Sequence, residues 1–203
     1  MAIKIESMTE QEIESIAEAF ADYSYENGER GMFYLFPNRE SVKIYIRGFV
    51  QASLKCGWMY APSSRREGYI VISDSKSKPS LSAVGIIVKS VWKALKLRGC
   101  LTWVKALKNS GNSLENRMKK DKKDFIKIEM VVVTKPYQGQ GYMRQVVDIA
   151  FQMGQERKIP CILDTDGILK KDKYCHLGMQ LVGTRKIGEG SYLYDLIKPV
   201  AEL

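Results

Sequence analysis

The stretch from Met130 to Met153, MVVVTKPYQGQGYMRQVVDIAFQM, constrains this chain more than any other. A β-branched apolar run meets a glycine turn that opens straight into an amphipathic helix. Val131, Val132 and Val133 follow Ile126 and Ile128 and end at Lys135-Pro136, which predicts a largely buried strand. Beyond the turn, Met143, Val146, Val147, Ala150, Phe151 and Gly154 recur at three- and four-residue steps, with Arg144, Gln145, Asp148, Gln152 and Gln155 opposite. That is a helix with one buried face. In Tyr137-Gln138-Gly139-Gln140-Gly141, the glycines lack the Cβ atoms that would hold a phosphate away from the backbone. The first N–H groups of the helix point unpaired at whatever sits there, so the junction favours an anion. An ordinary strand-turn-helix that uses glycine only for geometry stands beside that reading.

At 203 residues the chain can bury one substantial core, and a single domain over residues 1–203 is expected. Its 45% hydrophobic and 27% charged residues describe an ordinary globular protein. The net charge of +9 favours an anionic partner: nucleic acid, acidic lipid or a polyphosphate cofactor. Cys56, Cys100, Cys161 and Cys175 have no paired spacing, and His176 is the one histidine. Reduced thiols in a cytoplasmic protein are expected, with no metal. The N-terminal residues show no charged segment followed by an apolar core, and no run approaches membrane-spanning length, so no membrane partner is expected.

Along the chain, a short strand Ile3 to Glu6 precedes a helix whose start, Thr9-Glu10-Gln11-Glu12, has the capping-box pattern. Ile13, Ile16, Ala17 and Phe20 supply its buried stripe. The loop Asp22 to Pro37 holds Tyr23, Tyr25, Phe33, Tyr34 and Phe36, which either pin it to the core or line a pocket. Asn38 caps a second helix with Val42, Tyr45, Ile46 and Phe49 on its apolar face. Strands follow at Trp58 to Ala61 and Gly68 to Ser73. Residues Lys76 to Lys123 read as a helical insertion, with one stripe of Val84, Ile87, Val88, Val91 and Leu95 and another of Trp103, Val104 and Leu107. The basic run Asn116 to Asp124 is not interleaved with aromatics, so it reads as a solvated surface and nucleic acid is disfavoured. Pro160 to Asp164 predicts a buried strand, Ile168 to Leu177 a helix, and Met179 to Lys186 with Ser191 to Lys198 a closing strand pair. Alternating strands and helices with an antiparallel tail make the class mixed α/β or α+β.

The run VTKPYQGQGYM resembles motif A of the GNAT superfamily of acyl-CoA N-acyltransferases, with Gln138, Gly141 and Met143 on the motif's positions. Met143 is larger than the small residue usual there. LDTDGILKKDKYCHLGMQLVG, Leu163 to Gly183, resembles a second family segment without a gap, with Tyr174 on its tyrosine, Gly178-Met179 on its Gly-Phe, and Lys170 in place of an asparagine. AFADYS, LFPNRE and the helical insertion are similar to the branch containing puromycin acetyltransferase.

The resemblance implies a GNAT fold in which the fourth strand splays from the fifth. Backbone groups around Val131 and Val133 would then pair with the pantetheine of acetyl-CoA, helped by Lys170, and Gln138, Gly139, Gln140, Gly141, Tyr142 and Met143 would hold its pyrophosphate. The implied activity is acetyl transfer to a primary amine of a small molecule or peptide by direct attack. Tyr174 is the candidate acid, as against an ordinary core tyrosine. Glu129 is the candidate base, and period-two geometry puts it on one face with Val131 and Val133, although a solvent-facing strand-end glutamate fits equally. The acceptor pocket is expected from Tyr23, Tyr25, Phe33, Tyr34, Trp58 and Tyr60, whose rings suit a flat or cationic amine. A CoA-binding protein impaired in catalysis by Met143 and Lys170 is the alternative, and a nucleic-acid module rests on charge alone. A homodimer is left open.

Overall fold

Pairing in the sheet decides where this molecule is open. A computed structural model describes residues 2–200, apart from the side chains of residues 97, 98, 102, 105 and 107–109. Leu107, expected on the second stripe of the insertion, therefore lies outside the described residues. The chain runs β1 (Ile3–Lys4), α1 (Glu10–Ala21), α2 (Arg39–Cys56), β2 (Met59–Ala61), β3 (Gly68–Asp74), α3 (Leu81–Asn109), α4 (Leu114–Lys120), β4 (Ile126–Val133), α5 (Tyr142–Arg157), β5 (Cys161–Thr165), α6 (Ile168–His176), β6 (Gln180–Gly188) and β7 (Ser191–Lys198). Among the described residues seven strands form one mixed sheet in the order β1-β2-β3-β4-β5-β7-β6.

Local chemistry starts the helices where the sequence places them. Thr9 and Glu12 close a reciprocal capping box on α1, and the Asn38 carboxamide accepts the Ser41 N–H at the start of α2. One face of the sheet carries α1, α2 and α3, packed on Met59, Tyr69, Val71, Met130 and Val132. The other carries α5 and α6, packed on Ile70, Ile72, Ile128, Leu163 and Leu196. Within the insertion, α3 packs on α2 through Val91, Ala94 and Leu95. The expected stripe is thus half realised, because Val84 and Val88 face solvent.

Among the described residues the one parallel contact joins β4 to β5, and it covers just Ile126 with Cys161 and Lys127 with Ile162. From Ile128 onward β4 keeps β3 on one edge and loses β5 on the other, while Leu163 to Thr165 of β5 pair with β7 alone. The sheet is splayed at its middle.

Candidate active site

The splay exposes backbone groups of known direction. Thr134 donates its N–H to the Glu67 carbonyl on the β3 side, so strand alternation turns the polar groups of Val132 the same way and those of Val131 and Val133 toward the gap. The Gln138 side-chain amide donates to the Val133 carbonyl at 3.0 Å. Among the described residues, the Val131 N–H and carbonyl and the Val133 N–H have no strand partner.

At the end of β4 the chain turns through Lys135–Tyr137 into the glycine loop. Gly139 and Gly141 take φ of 76° and 80°, and a Cβ on either would meet open space. Gly141 caps α5 without a side-chain hydrogen bond, and no described residue accepts the N–H groups of Gly139 through Met143. Gly139, Gly141, Tyr142 and Met143 of this stretch line the cavity, so unpaired donors and a helix N-terminus lie beside one space, an arrangement that suits a pyrophosphate. The Gln140 side chain closes the turn on the Pro136 carbonyl at 2.8 Å and does not line the gap.

A cavity of about 830 Å³ runs from this loop through the splay to an apolar end. Gln138, Gly139, Gly141, Tyr142 and Met143 line its first part; Val131, Val133, Asp166, Lys170, Lys173 and Tyr174 line the middle; Met32, Phe36, Tyr45 and Trp103 line the far end. An acyl-CoA fits this plan, with free strand edge for an amide-bearing arm and free N–H groups for its phosphates.

Tyr174 comes from α6 on one face of the sheet and is buried in the α5–α6 core. Burial, with Asp166 and Tyr23 adding to it, pushes its phenol well above the usual range, so the group stays protonated at neutral pH. No described residue is hydrogen-bonded to its hydroxyl, which leaves that proton free for the cavity.

Glu129 differs from expectation. The β3–β4 ladder shifts between Val71 and Ile72: Val71 pairs with Met130, Ile72 pairs with Ile128, and Glu129 is the extra residue of a bulge. The bulge breaks period two, so Glu129 lies opposite Val131 and not beside it. Val131 packs toward α5, whereas Glu129 accepts from Ser73 Oγ at 2.8 Å and pairs with Lys127 Nζ at 3.0 Å. Burial pushes the neighbouring Tyr45 phenol up to about 12, and the Glu129 carboxylate adds to the push. The carboxylate lines the cavity on the α2 side, near Tyr45.

Of the aromatics expected at the acceptor, Tyr23 lines the cavity. Tyr25 lies behind it, edge-on at 4.9 Å, and fastens the loop by donating to Asp166 and accepting from the Met32 N–H. Gly31 is required here, since a Cβ would fall 1.9 Å from the Tyr25 ring. Phe33 packs edge-on against Tyr25, and Tyr34 lies over Gly188 with Arg30 above its ring. Trp58 and Tyr60 pack on opposite faces of the sheet near β2, away from the cavity. Lys170 is held by Asp166 at 2.7 Å and sits over the Tyr23 ring at 4.1 Å. Phe36, offered in the sequence as either a core anchor or a pocket wall, is both, and Tyr45, Trp103, Asp166 and Lys173 also line the cavity without having been singled out for it. Asp166 and Lys173 had a usable signal, because ligands gather at the carboxyl ends of parallel strands and both adjoin motif residues.

A mixed sheet splayed between β4 and β5, with helices on both faces and a glycine loop leading into α5, defines the fold of the GNAT acetyltransferases. The structure is similar over 98% of both chains to that of an agmatine N-acetyltransferase (TM-score 0.58, 10% identity). It is similar over 99% of both chains to arylalkylamine N-acetyltransferase 2 from Aedes aegypti (TM-score 0.55, 11% identity). A Pyrococcus horikoshii OT3 protein matches 100% of this chain and 99% of its own at TM-score 0.57 and 13% identity. No family model and no curated protein matches the sequence.

Proposed function

We propose that the protein is an N-acetyltransferase that moves an acetyl group from acetyl-CoA to a primary amine. The observation that carries this is the single cavity on which the glycine loop, the unpaired edge of β4, Tyr174 and Glu129 all open. Val131 and Val133 would hold the pantetheine, and the N–H groups of Gly139 to Met143 the pyrophosphate. Lys173 adds positive charge along that path, where Lys170 is paired with Asp166. Acetyl-CoA supplies an activated thioester. Tyr174 donates the proton that the departing sulfur needs, and Glu129 takes one from the amine, directly or through water.

The acceptor is a small amine with an apolar or aromatic body, because Met32, Phe36, Tyr45 and Trp103 wall part of the cavity, while the carboxylates of Glu129 and Asp164 also line it and both act on the Tyr45 phenol. The agmatine and arylalkylamine N-acetyltransferases of the same fold are named for small amines, which supports that class over a protein terminus. AFADYS, LFPNRE and the helical insertion favour the branch containing puromycin acetyltransferase. The test is thermal shift with acetyl-CoA followed by thiol release with an amine panel. Stabilisation by acetyl-CoA with amine-dependent thiol release is expected. Stabilisation without release by any amine would leave a CoA-binding protein, and no stabilisation would overturn both.

A further inference from the structure

Helix α3 is apolar on two sides, and only one of them is covered. Ala83, Val91, Ala94 and Leu95 face the core, while Leu81, Val84, Val88 and Trp92 are 93%, 43%, 62% and 57% exposed. Their spacing of three, four and four residues lines them up on one outward stripe. Lys89, Lys93 and Lys96 are exposed along one flank of it, and no described carboxylate pairs with them. The regular helix breaks at Lys96, where φ is 52°, and exposed apolar residues continue past the break at Leu101 and Val104.

The charge along this part of the sequence is one-signed, although Lys76 at its start pairs with Asp124. Between Ser75 and Leu114 the sequence holds Lys76, Lys78, Lys89, Lys93, Lys96, Arg98, Lys105 and Lys108 and no Asp or Glu. Nearly all of the chain's net +9 is therefore concentrated on this one segment. We propose that α3 is a docking surface for an anionic lipid bilayer, lying in its interface with Leu81, Val84, Val88 and Trp92 among the acyl chains and the lysines among the headgroups. Apolar residues with a tryptophan on one side and lysines beside them are what an interfacial helix requires.

Charge decides against the other occupants. In a two-fold contact between copies, each patch meets its own kind, so the lysine rows would face each other with no acid on the helix to offset them. A nucleic acid would complement the lysines but would set its phosphates against hydrocarbon. Among the described residues no helix is long and apolar enough to cross a membrane. A helix lying on the surface needs none, so the expectation of no membrane partner, drawn from the lack of a spanning run, does not bear on it. Trp103 and Ala106 of the same helix line the cavity, so docking would set the acceptor end close to the lipid.

The test is flotation of the full chain with phosphatidylcholine vesicles, plain or with about a third phosphatidylserine, at low and physiological salt. Binding to the anionic vesicles alone, weakened by salt, is expected. The double variant Val88→Asp with Trp92→Asp and the triple variant Lys89→Glu, Lys93→Glu, Lys96→Glu should each lose at least about tenfold in bound fraction, with an unchanged unfolding temperature. Failure of the wild-type chain to bind anionic vesicles, or equal binding by the variants, would overturn the proposal. So would a dimer in sedimentation that the Asp variant dissolves. None of these measurements depends on acetyl transfer.

Discussion

Glu129 and Tyr174 reach one cavity from opposite faces of the sheet, Glu129 turned toward α2 by a bulge and Tyr174 rising from α6. In a continuous sheet two such side chains could not share a space. They do so here because β4 and β5 part after two paired residues. In the proposed reaction, the opening that would admit the acyl donor would also let Tyr174 from one layer and Glu129 from the other serve the same bond.

Tyr174→Phe should lower turnover by about 10² or more, within the usual contribution of a positioned acid. Since no described residue is hydrogen-bonded to the Tyr174 hydroxyl, removing it should leave both the unfolding temperature and the affinity for acetyl-CoA nearly unchanged. Calorimetry with acetyl-CoA beside steady-state rates separates the two effects, and undiminished turnover would remove the acid role.

Glu129→Gln should reduce turnover most at neutral pH and least in alkali. Without a base, the neutral amine must come from solution, where its fraction grows as pH approaches the pKa of the amine. A variant whose rate tracks the wild type at every pH would show that Glu129 serves only to hold Lys127 and Ser73.

Gly141→Ala tests the phosphate loop. At φ of 80° an alanine costs about 1–2 kcal/mol, and relieving that strain turns the first N–H groups of α5 away from the cavity. Acetyl-CoA affinity should fall by on the order of tenfold. Unchanged affinity would mean that the pyrophosphate binds elsewhere.

Much of this was legible in the sequence wherever a local signal sufficed. The capping box of Thr9 and Glu12, the glycine turn before α5 and the strand at β4 all depend on residues a few positions apart. What was not legible depends on register. A bulge adds one residue to a strand without marking its composition, so nothing in IKIEMVVV announces that Glu129 leaves the face of Val131. Tyr23 and Tyr25 are alike in sequence, and only the reach of Tyr25 to Asp166, 141 residues away, makes one a wall and the other a fastener. Val84 and Val88 had the period of a buried stripe but face outward, because periodicity shows that a face is apolar and not what covers it.

Tyr25→Phe should therefore act on stability and on the acceptor more than on the cofactor. It removes a donor to Asp166 and an acceptor for the Met32 N–H and for Lys170 Nζ, at a cost of about 1–3 kcal/mol. The loop carrying Met32 and Tyr23 should loosen, raising KM for the amine while that for acetyl-CoA moves less. An unfolding temperature equal to the wild type would show that the loop is held by the Glu29 contacts to Ile168 and Tyr194 instead.

Acid stability turns on Glu12. Burial raises its pKa, but the Thr9 N–H, Arg66, the Thr9 hydroxyl and Tyr69 outweigh that and bring it from 4.5 to about 2. A depressed carboxylate stabilises the fold fully above its unfolded value and loses that contribution as pH falls through the folded one. The shift corresponds to at most about 3 kcal/mol, lost between roughly pH 4.5 and 2. Glu12→Gln should lower stability at neutral pH and flatten the unfolding free energy across that window, since the side chain joins the cap of α1 to Arg66 and Tyr69 beside β3. Urea unfolding at pH 7 and near pH 3 reads both: a wild-type difference that the variant retains would place the acid-labile contact elsewhere.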